Sequence, residues 1–566
     1  MYDLEQPFQR LVHHFIFRIF HGAGEGDDLQ FSIPALLGLL STPSAFGAIT
    51  LLNKYSTLLL FLTHRPAFDV YRASIPDEYF FIVYSMVVTG AVVILKWNRL
   101  FPDRQDYDNL AALPISIRQI FSANLLALLF LAGIFAIDIN AAACVMFPWA
   151  VTSRYDTFAA YFPFFVGNLA AVLLASFFAC FGLLSVLGLT LLVVPQRYLR
   201  RVSLSVRILA ALALIAILGS AFSIPPLIMS NHPPAFAQWL PTVWFLDMQQ
   251  AIIGRGAPFT GSGFFGVEVT VGLFLFALAV YGLTYYHQFT RIPEQTSVHP
   301  SGGRDQHSLV RRILDSTVLR TPFQRATYHF SVKTLFRSER HCLLFGAALS
   351  VGFFLAAQGL SDALASPLRI GIDSRLLSIA LILSYFVVCT SRALFDLPAD
   401  PRANWLFQSI LGPYQFEARS VATKVTMTMV VPWLILLGLP LHVAAWGWRT
   451  GFLHTGYVLL CSFVLSEVLL VGFRKIPFTC MQTASKDRVL VMIIFFMVGL
   501  TIFSTANARF ERTLLENPFR FLMVIVVAGL VLRGIRAIEG DRHPIDRTLL
   551  FEDRPAAVIQ LLNLSR

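Results

Sequence analysis

A dense cluster of carboxylates in the first half of the sequence holds Asp103 and Asp106, with Arg104, Tyr107, Asn109 and Arg118 around them. They lie in the stretch FPDRQDYDNLAALPISIRQIF, between two long apolar runs. Their types and spacing format helix ends. Asp103 can cap a short helix with Asp106 three residues on, and Tyr107, Leu110 and Leu113 then share one face. Pro114 stops that helix and can start a second, in which Ile117, Ile120 and Phe121 continue the apolar stripe. The expected product is a short amphipathic element on a membrane surface, suited to docking a soluble partner. Arg99, Arg104 and Arg118 mark that surface as cytoplasmic. An ordinary solvated loop between spans would carry the same charges.

Other chemistry is sparse. Asp138, Glu268, His442 and Glu467 fall inside apolar runs, where an ionisable group is costly to bury and so is a functional candidate. Polar residues that pack helices, or that lie near an interface, would read the same way, and no pair of them has the spacing of a proton relay. The six cysteines, Cys144, Cys180, Cys342, Cys389, Cys461 and Cys480, are scattered, with no CxxC and no histidine at ligand spacing. They read as small core residues rather than a metal site. No GxxxxGK[ST], GxGxxG, GxSxG or HExxH occurs, so no enzyme activity and no cofactor is expected of this chain itself.

The elements that must position these residues are membrane spans. Of 566 residues 56% are hydrophobic and only 14% charged, with 52 phenylalanines and a mean hydropathy of +0.66, a composition no soluble globular chain of this size sustains. The net charge of +11 sits in short connections between apolar runs, as bilayer orientation requires, so nucleic acid is not an expected partner. The first thirty residues lack the basic start and apolar core of a signal peptide, so the amino terminus is expected in the cytoplasm.

The expected fold is an all-α polytopic membrane protein with about 12 transmembrane helices, arranged as two parallel six-helix halves with amphipathic cytoplasmic helices. Residues 1–30 form an amphipathic cytoplasmic segment, 31–286 the first half, 287–340 a basic linker, 341–537 the second half and 538–566 a cytoplasmic tail. Spans are expected near Phe31 to Leu52, Tyr79 to Trp97, Ser122 to Phe147, Tyr161 to Val194, Ile208 to Met229 and Phe264 to Tyr286. They resume near Cys342 to Leu360, Leu376 to Phe395, Val421 to Val443, Tyr457 to Phe473, Val489 to Thr505 and Phe519 to Val531. Pro195 to Arg207 reads as a basic inner connection. The Pro- and Trp-rich stretch Asn231 to Pro258 reads as short helices dipping into the outer interface.

An internal repeat supports the halves. PFQRLVHHFIFR (7–18) and PFQRATYHFSVK (322–333) match at Phe8 and Phe323, Arg10 and Arg325, His14 and His329, each copy preceding a first span. The opening stretch has a counterpart after the second span of the second half, with Asp400, Arg402, Asn404, Trp405, Pro413 and Arg419 as rough analogues.

This layout resembles the permease subunits of ABC-2-type exporters, as do the words YSMVVTG, WNRLFPDRQDYDNLAALPI, LPTVWFLDMQQAIIG and LPADPRANWLF, which are similar to large two-halved bacterial permease-like proteins. The resemblance implies a connecting helix at Leu4 to Phe20, a coupling helix at Asp103 to Ile120 and re-entrant helices at Pro233 to Gly254. It also implies a bacterial inner membrane location with both termini cytoplasmic. Separate ATPase subunits would then hold ATP and Mg and dock on Asp103 to Arg118 and Asp400 to Arg419. The second half departs from this pattern, since Ala506 to Pro518 is too short for re-entrant helices of the first-half kind. An ion-coupled secondary transporter and a non-transporting scaffold are the competing readings.

Overall fold

The computed structural model describes residues 5–20, 41–52, 54–55, 69–101, 115–152, 158–229, 235–256, 263–291, 314–365, 373–399, 417–479, 496, 498–517 and 519–540. Regular structure among them is helical, and ten helices are long and apolar enough to cross a membrane. The chain is a multi-pass membrane protein of the all-α class. All ten fall on stretches expected to span. The remaining two, near 31–52 and 489–505, lie partly outside the described residues. Two compact units divide the chain at Ser301 and Gly302.

The first unit contains α1 (Glu5–Phe20), α2 (residues 41–52), α3 (Val70–Lys96), α4 (Ile117–Thr152), α5 (Phe158–Val193), α6 (Gln196–Ile228), α7 (Pro241–Ile252) and α8 (Phe265–Arg291). α3 packs against α4, α5, α6 and α7, and α5 packs against α8. Phe81, Phe147, Phe164 and Phe245 form an apolar centre at one end, and Phe15, Trp97 and Tyr285 form one at the other. Burying such aromatics supplies much of the packing contact that holds helices together where lipid removes the hydrophobic drive.

Helix starts depart from expectation, each for a local reason. α3 begins at Val70 rather than Tyr79, because the Asp69 carboxylate accepts from the Tyr71 and Arg72 backbone N–H groups (3.1 and 3.4 Å). Residues 70–78, ahead of the expected span, are therefore helical. Ile117 to Phe121 is not a separate amphipathic piece but the first turn of α4. Ser116 and Gln119 cap it reciprocally, Gln119 N donating to Ser116 Oγ (3.3 Å) and Ser116 N to Gln119 Oε1 (3.1 Å). The basic run after Pro195 is likewise not a connection, since α6 starts at Gln196 and runs through Arg207.

The second unit contains α9 (Pro322–Arg337), α10 (Glu339–Ala365), α11 (Ser374–Leu394), α12 (Ala418–Trp433), α13 (Leu439–Trp446), α14 (Trp448–Leu469), α15 (Asn507–Glu516) and α16 (Arg520–Gly540). A π-helical turn, Leu434–Gly438, joins α12 to α13, and a second, Ile502–Ala506, precedes α15. Thr321 caps α9 by accepting from Gln324 N (3.2 Å), with Pro322 in the first turn. The repeated word PFQR thus formats a helix start.

Gly447, at φ 81°, makes the tight reversal between α13 and α14. Four residues on, a Cβ on Gly451 would stand 2.8 Å from the backbone N of Val443, so only glycine lets the two helices approach so closely. The segment Ala506 to Pro518, expected to be too short for helices of the first-half kind, holds the ten-residue α15. The π turn carries helical backbone straight into it, so no separate initiation is needed.

Candidate functional site

In the first unit the buried face of α3 carries Ser74, Glu78, Ser85 and Thr89, spaced four, seven and four residues apart so that they align along one side. Glu78 is fully buried. Ser74 Oγ lies 2.5 Å from its Oε1, and Gln250 Nε2 on α7 donates to its Oε2 at 2.5 Å. The short helix α7 is therefore fastened to α3 by a buried carboxyl. One residue on, Tyr79 OH bonds Thr242 Oγ1 on α7 (2.6 Å) and Ser220 Oγ on α6 (3.0 Å). Deeper in the bundle Ser85 bonds Ser176 on α5, and Asn140 Nδ2 on α4 donates to Ser85 Oγ (2.9 Å).

Buried beside this network, both amide atoms of Asn168 and of Gln249 have no hydrogen-bond partner among the described residues, nor has the Asn140 carbonyl oxygen. Polar atoms in such places are normally met by water or a polar ligand. The set can bind polar groups and hold a proton.

Ion pairs close the end of the unit near residue 69. Arg255, flanked by Gly254 and Gly256 at φ 88° and 75°, donates twice to Asp69 (2.6 and 2.8 Å). Its guanidinium beside Asp69 holds that carboxyl below the usual carboxylate range. Lys54 and Tyr55 OH bond Asp77 (2.7 and 2.6 Å).

In the second unit the α13–α14 hairpin brings together His442 and His454, which lie on either side of the Gly447 turn. Their ring centroids are 4.5 Å apart, and Trp446 contacts both. His454 Nδ1 lies 2.7 Å from Glu511 Oε1 on α15, both side chains being fully buried. Among the described residues His454 Nε2 and Glu511 Oε2 have no hydrogen-bond partner. Tyr457 OH donates to Asn507 Oδ1 on α15 (3.2 Å).

The comparisons add no relative. No family model, curated protein or solved structure matches this chain. Function must therefore be argued from these residues.

The residues singled out in the sequence scatter accordingly. Asp103, Arg104, Asp106, Tyr107, Asn109, Pro114, Asp400, Arg402, Asn404, Trp405 and Pro413 lie outside the described residues. Arg118 is exposed in the first turn of α4. Arg419 turns inward, paired with Glu467 at 2.7 Å, and Thr423 also donates to Glu467 (2.8 Å). Asp138 is half-buried on α4, and Glu268 is exposed in the first turn of α8. Phe8 packs into the cluster around Trp97, while Arg10 and His14 are exposed. Phe323 is buried, Arg325 donates to the Leu319 carbonyl (3.1 Å), and His329 bonds Asp315 (2.8 Å).

Sequence reading passed over Glu78, His454 and Glu511. The polar spacing along 74, 78, 85 and 89 was the available signal for the first. The other two meet only through the fold.

The ends of the two polar connections are heavily fastened. Before 102–114, Arg18 of α1 donates to the Arg99 carbonyl (2.9 Å), Arg207 to Asn98 (3.0 Å) and Trp97 to Ser203 (3.0 Å). After it, Asn124 donates to Tyr281 OH (2.6 Å). Before 400–416, Asp396 pairs with Lys475 (2.5 Å) and Arg392 (2.8 Å), and His341 bonds the Leu397 carbonyl (3.0 Å). After it, Thr321 donates to Glu417 (2.5 Å) and Lys424 to Gln324 (2.6 Å).

Proposed function

We propose that this chain is the membrane-spanning permease of an ATP-driven exporter, with separate ATPase subunits docking on Asp103 to Arg118 and Asp400 to Arg419. The observation that carries the reading is the bracing of each polar connection at both ends. A push delivered at 102–114 would pass through Arg99 to α1, through Asn98 and Trp97 to α6, and through Asn124 to α8. A push at 400–416 would pass through Asp396 to the segment that follows α14 and through Glu417 to α9. A docked motor needs such stiff lever points, because packed helices switch between discrete arrangements and do not deform smoothly.

Parallels between the units support the two-halved arrangement. The helix that carries PFQR packs on the third expected span in each, α1 on α4 and α9 on α12. The short helix before the last span packs on the second and fourth, α7 on α3 and α5, and α15 on α11 and α14. The buried Glu78 and the His454–Glu511 pair favour a second reading, an ion-coupled transporter.

The test is purification of the tagged chain in mild detergent, assayed for associated ATPase activity, beside a variant with Asp103, Arg104 and Arg118 changed to Ala. A nucleotide-binding subunit recovered with the parent and lost from the variant supports the exporter. A chain that purifies alone under several conditions removes that reading and leaves ion coupling to be tested.

A further inference from the structure

We propose that His454 and Glu511 form a proton-binding site in the second unit, one that takes up a proton when α15 seats on α14 and releases it when α15 lifts away. The inference goes beyond the exporter reading and does not depend on what energises the chain.

His454 Nδ1 and Glu511 Oε1 are 2.7 Å apart with no exposure to solvent. A net charge in such a place is expensive, so the pair is stable only when its charge sums to zero. It then holds two protons, one on the Nδ1–Oε1 line and one on Nε2, whether written as imidazolium with carboxylate or imidazole with carboxylic acid. In water a glutamate titrates near about 4.3 and a histidine near about 6.5. At pH 7.5 the separated, wetted groups therefore hold one proton between them. Seating the helix draws one proton from water, and lifting it returns that proton.

The surroundings supply no substitute charge. His442 faces the pair from α13, and Tyr457 and Cys461 flank it on α14. α11 contributes Tyr385 and Cys389, which interact with each other. Arg509, Arg512 and Glu516 on α15 itself are exposed, and α16 carries no ionisable side chain between Arg520 and Arg533. Among the described residues no lysine, arginine or further carboxylate faces either member. Two atoms of the site, His454 Nε2 and Glu511 Oε2, have no hydrogen-bond partner among the described residues.

The sign follows directly. The seated state binds more protons than the lifted state above about pH 6.5, so the seat weakens as pH rises there, tenfold per pH unit for one proton. Below about pH 6.5 the wetted histidine is already protonated, and the dependence flattens.

The experiment is amide hydrogen exchange of the full chain in detergent from pH 5 to 8, reading protection of residues 507–516 corrected for the intrinsic exchange rate. Protection should be level up to about pH 6.5 and then fall about tenfold per unit. Glu511→Gln should be level above about pH 6.5 and lose protection as pH falls below it, because the lone buried imidazole stays neutral while the wetted one takes up a proton. His454→Gln, which leaves only the carboxyl to titrate, should slope across the whole range with no break near 6.5. His442→Gln should keep the parent's profile. A parent profile level from pH 5 to 8 overturns the proposal whether or not any variant folds, and so does a folded Glu511→Gln variant that keeps the slope.

Discussion

The bond between Glu78 and Gln250 ties a short helix to the centre of the first unit, and its worth can be worked out from the structure. Gln250→Leu removes the amide that donates to Glu78 Oε2 and leaves that atom buried. Stranding a buried polar group costs about 1–3 kcal/mol. Glu78→Leu strands the Gln250 amide at similar cost, while Ser74 keeps its bond to the Tyr71 carbonyl (2.8 Å). Each single change should therefore cost about 2 kcal/mol, summing to about 4 if the sites were independent. The double variant removes donor and acceptor together and should cost only about 1 kcal/mol, because matched apolar replacements of a bonded pair are nearly neutral. The resulting coupling exceeds the roughly 0.6 kcal/mol typical of neutral interhelical bonds in membranes, as a carboxyl acceptor warrants. Unfolding of the purified chain in mixed micelles, titrated with denaturing detergent, reads all four proteins on one scale. Additivity within about 0.5 kcal/mol would refute the reasoning, since it would mean that the two side chains do not depend on each other.

Two further outcomes follow from local geometry. Gly451→Ala sets a methyl 2.8 Å from the Val443 backbone N and should destabilise the α13–α14 hairpin by about 1–3 kcal/mol, whereas Gly456→Ala, with open space around it, should be neutral or stabilising by up to about 1 kcal/mol; thermal unfolding ranks them. Asp69→Asn keeps the helix cap but loses the charge paired with Arg255. Because Arg255 lowers the Asp69 carboxyl, its contribution is complete above about pH 3.9 and disappears as pH falls through the lowered value. Midpoints of parent and variant measured from pH 5 downward should converge in acid, and by only a little, since both partners are more than a third exposed.

Hydropathy made the class and most spans legible, because about twenty apolar residues in a row have few other uses. Helix starts were misplaced where polar first turns hide the true boundary: Asp69, Ser116 and the arginines of α6 each precede the apolar run by several residues. Glu78 fell one position outside the expected second span and so escaped notice as a buried charge. His454 was masked by the expectation that the fourth span of the second half begins at Tyr457, when α14 starts at Trp448, directly after the Gly447 turn. Its partner Glu511 is 57 residues away. No periodicity links such a pair, and only packing of α15 onto α14 does. The His442 and His454 placement about Gly447 is the part a sequence could have offered, given the hairpin.

The π turn before α15 bears on how the chain tolerates changes of length. A π turn is an α-helix with one residue too many, and each extra residue rotates everything downstream by about 100°. Deleting one residue within Ile502–Ala506 would restore ordinary helix and leave Glu511 facing His454. Deleting one of the residues 508–510 instead would keep the excess and swing Glu511 off the contact by about 100°. Two deletions a few positions apart should thus have opposite consequences, one silent and one disruptive, as a comparison of their thermal midpoints would register. The surplus residue makes this part of the helix the place where an indel does least harm.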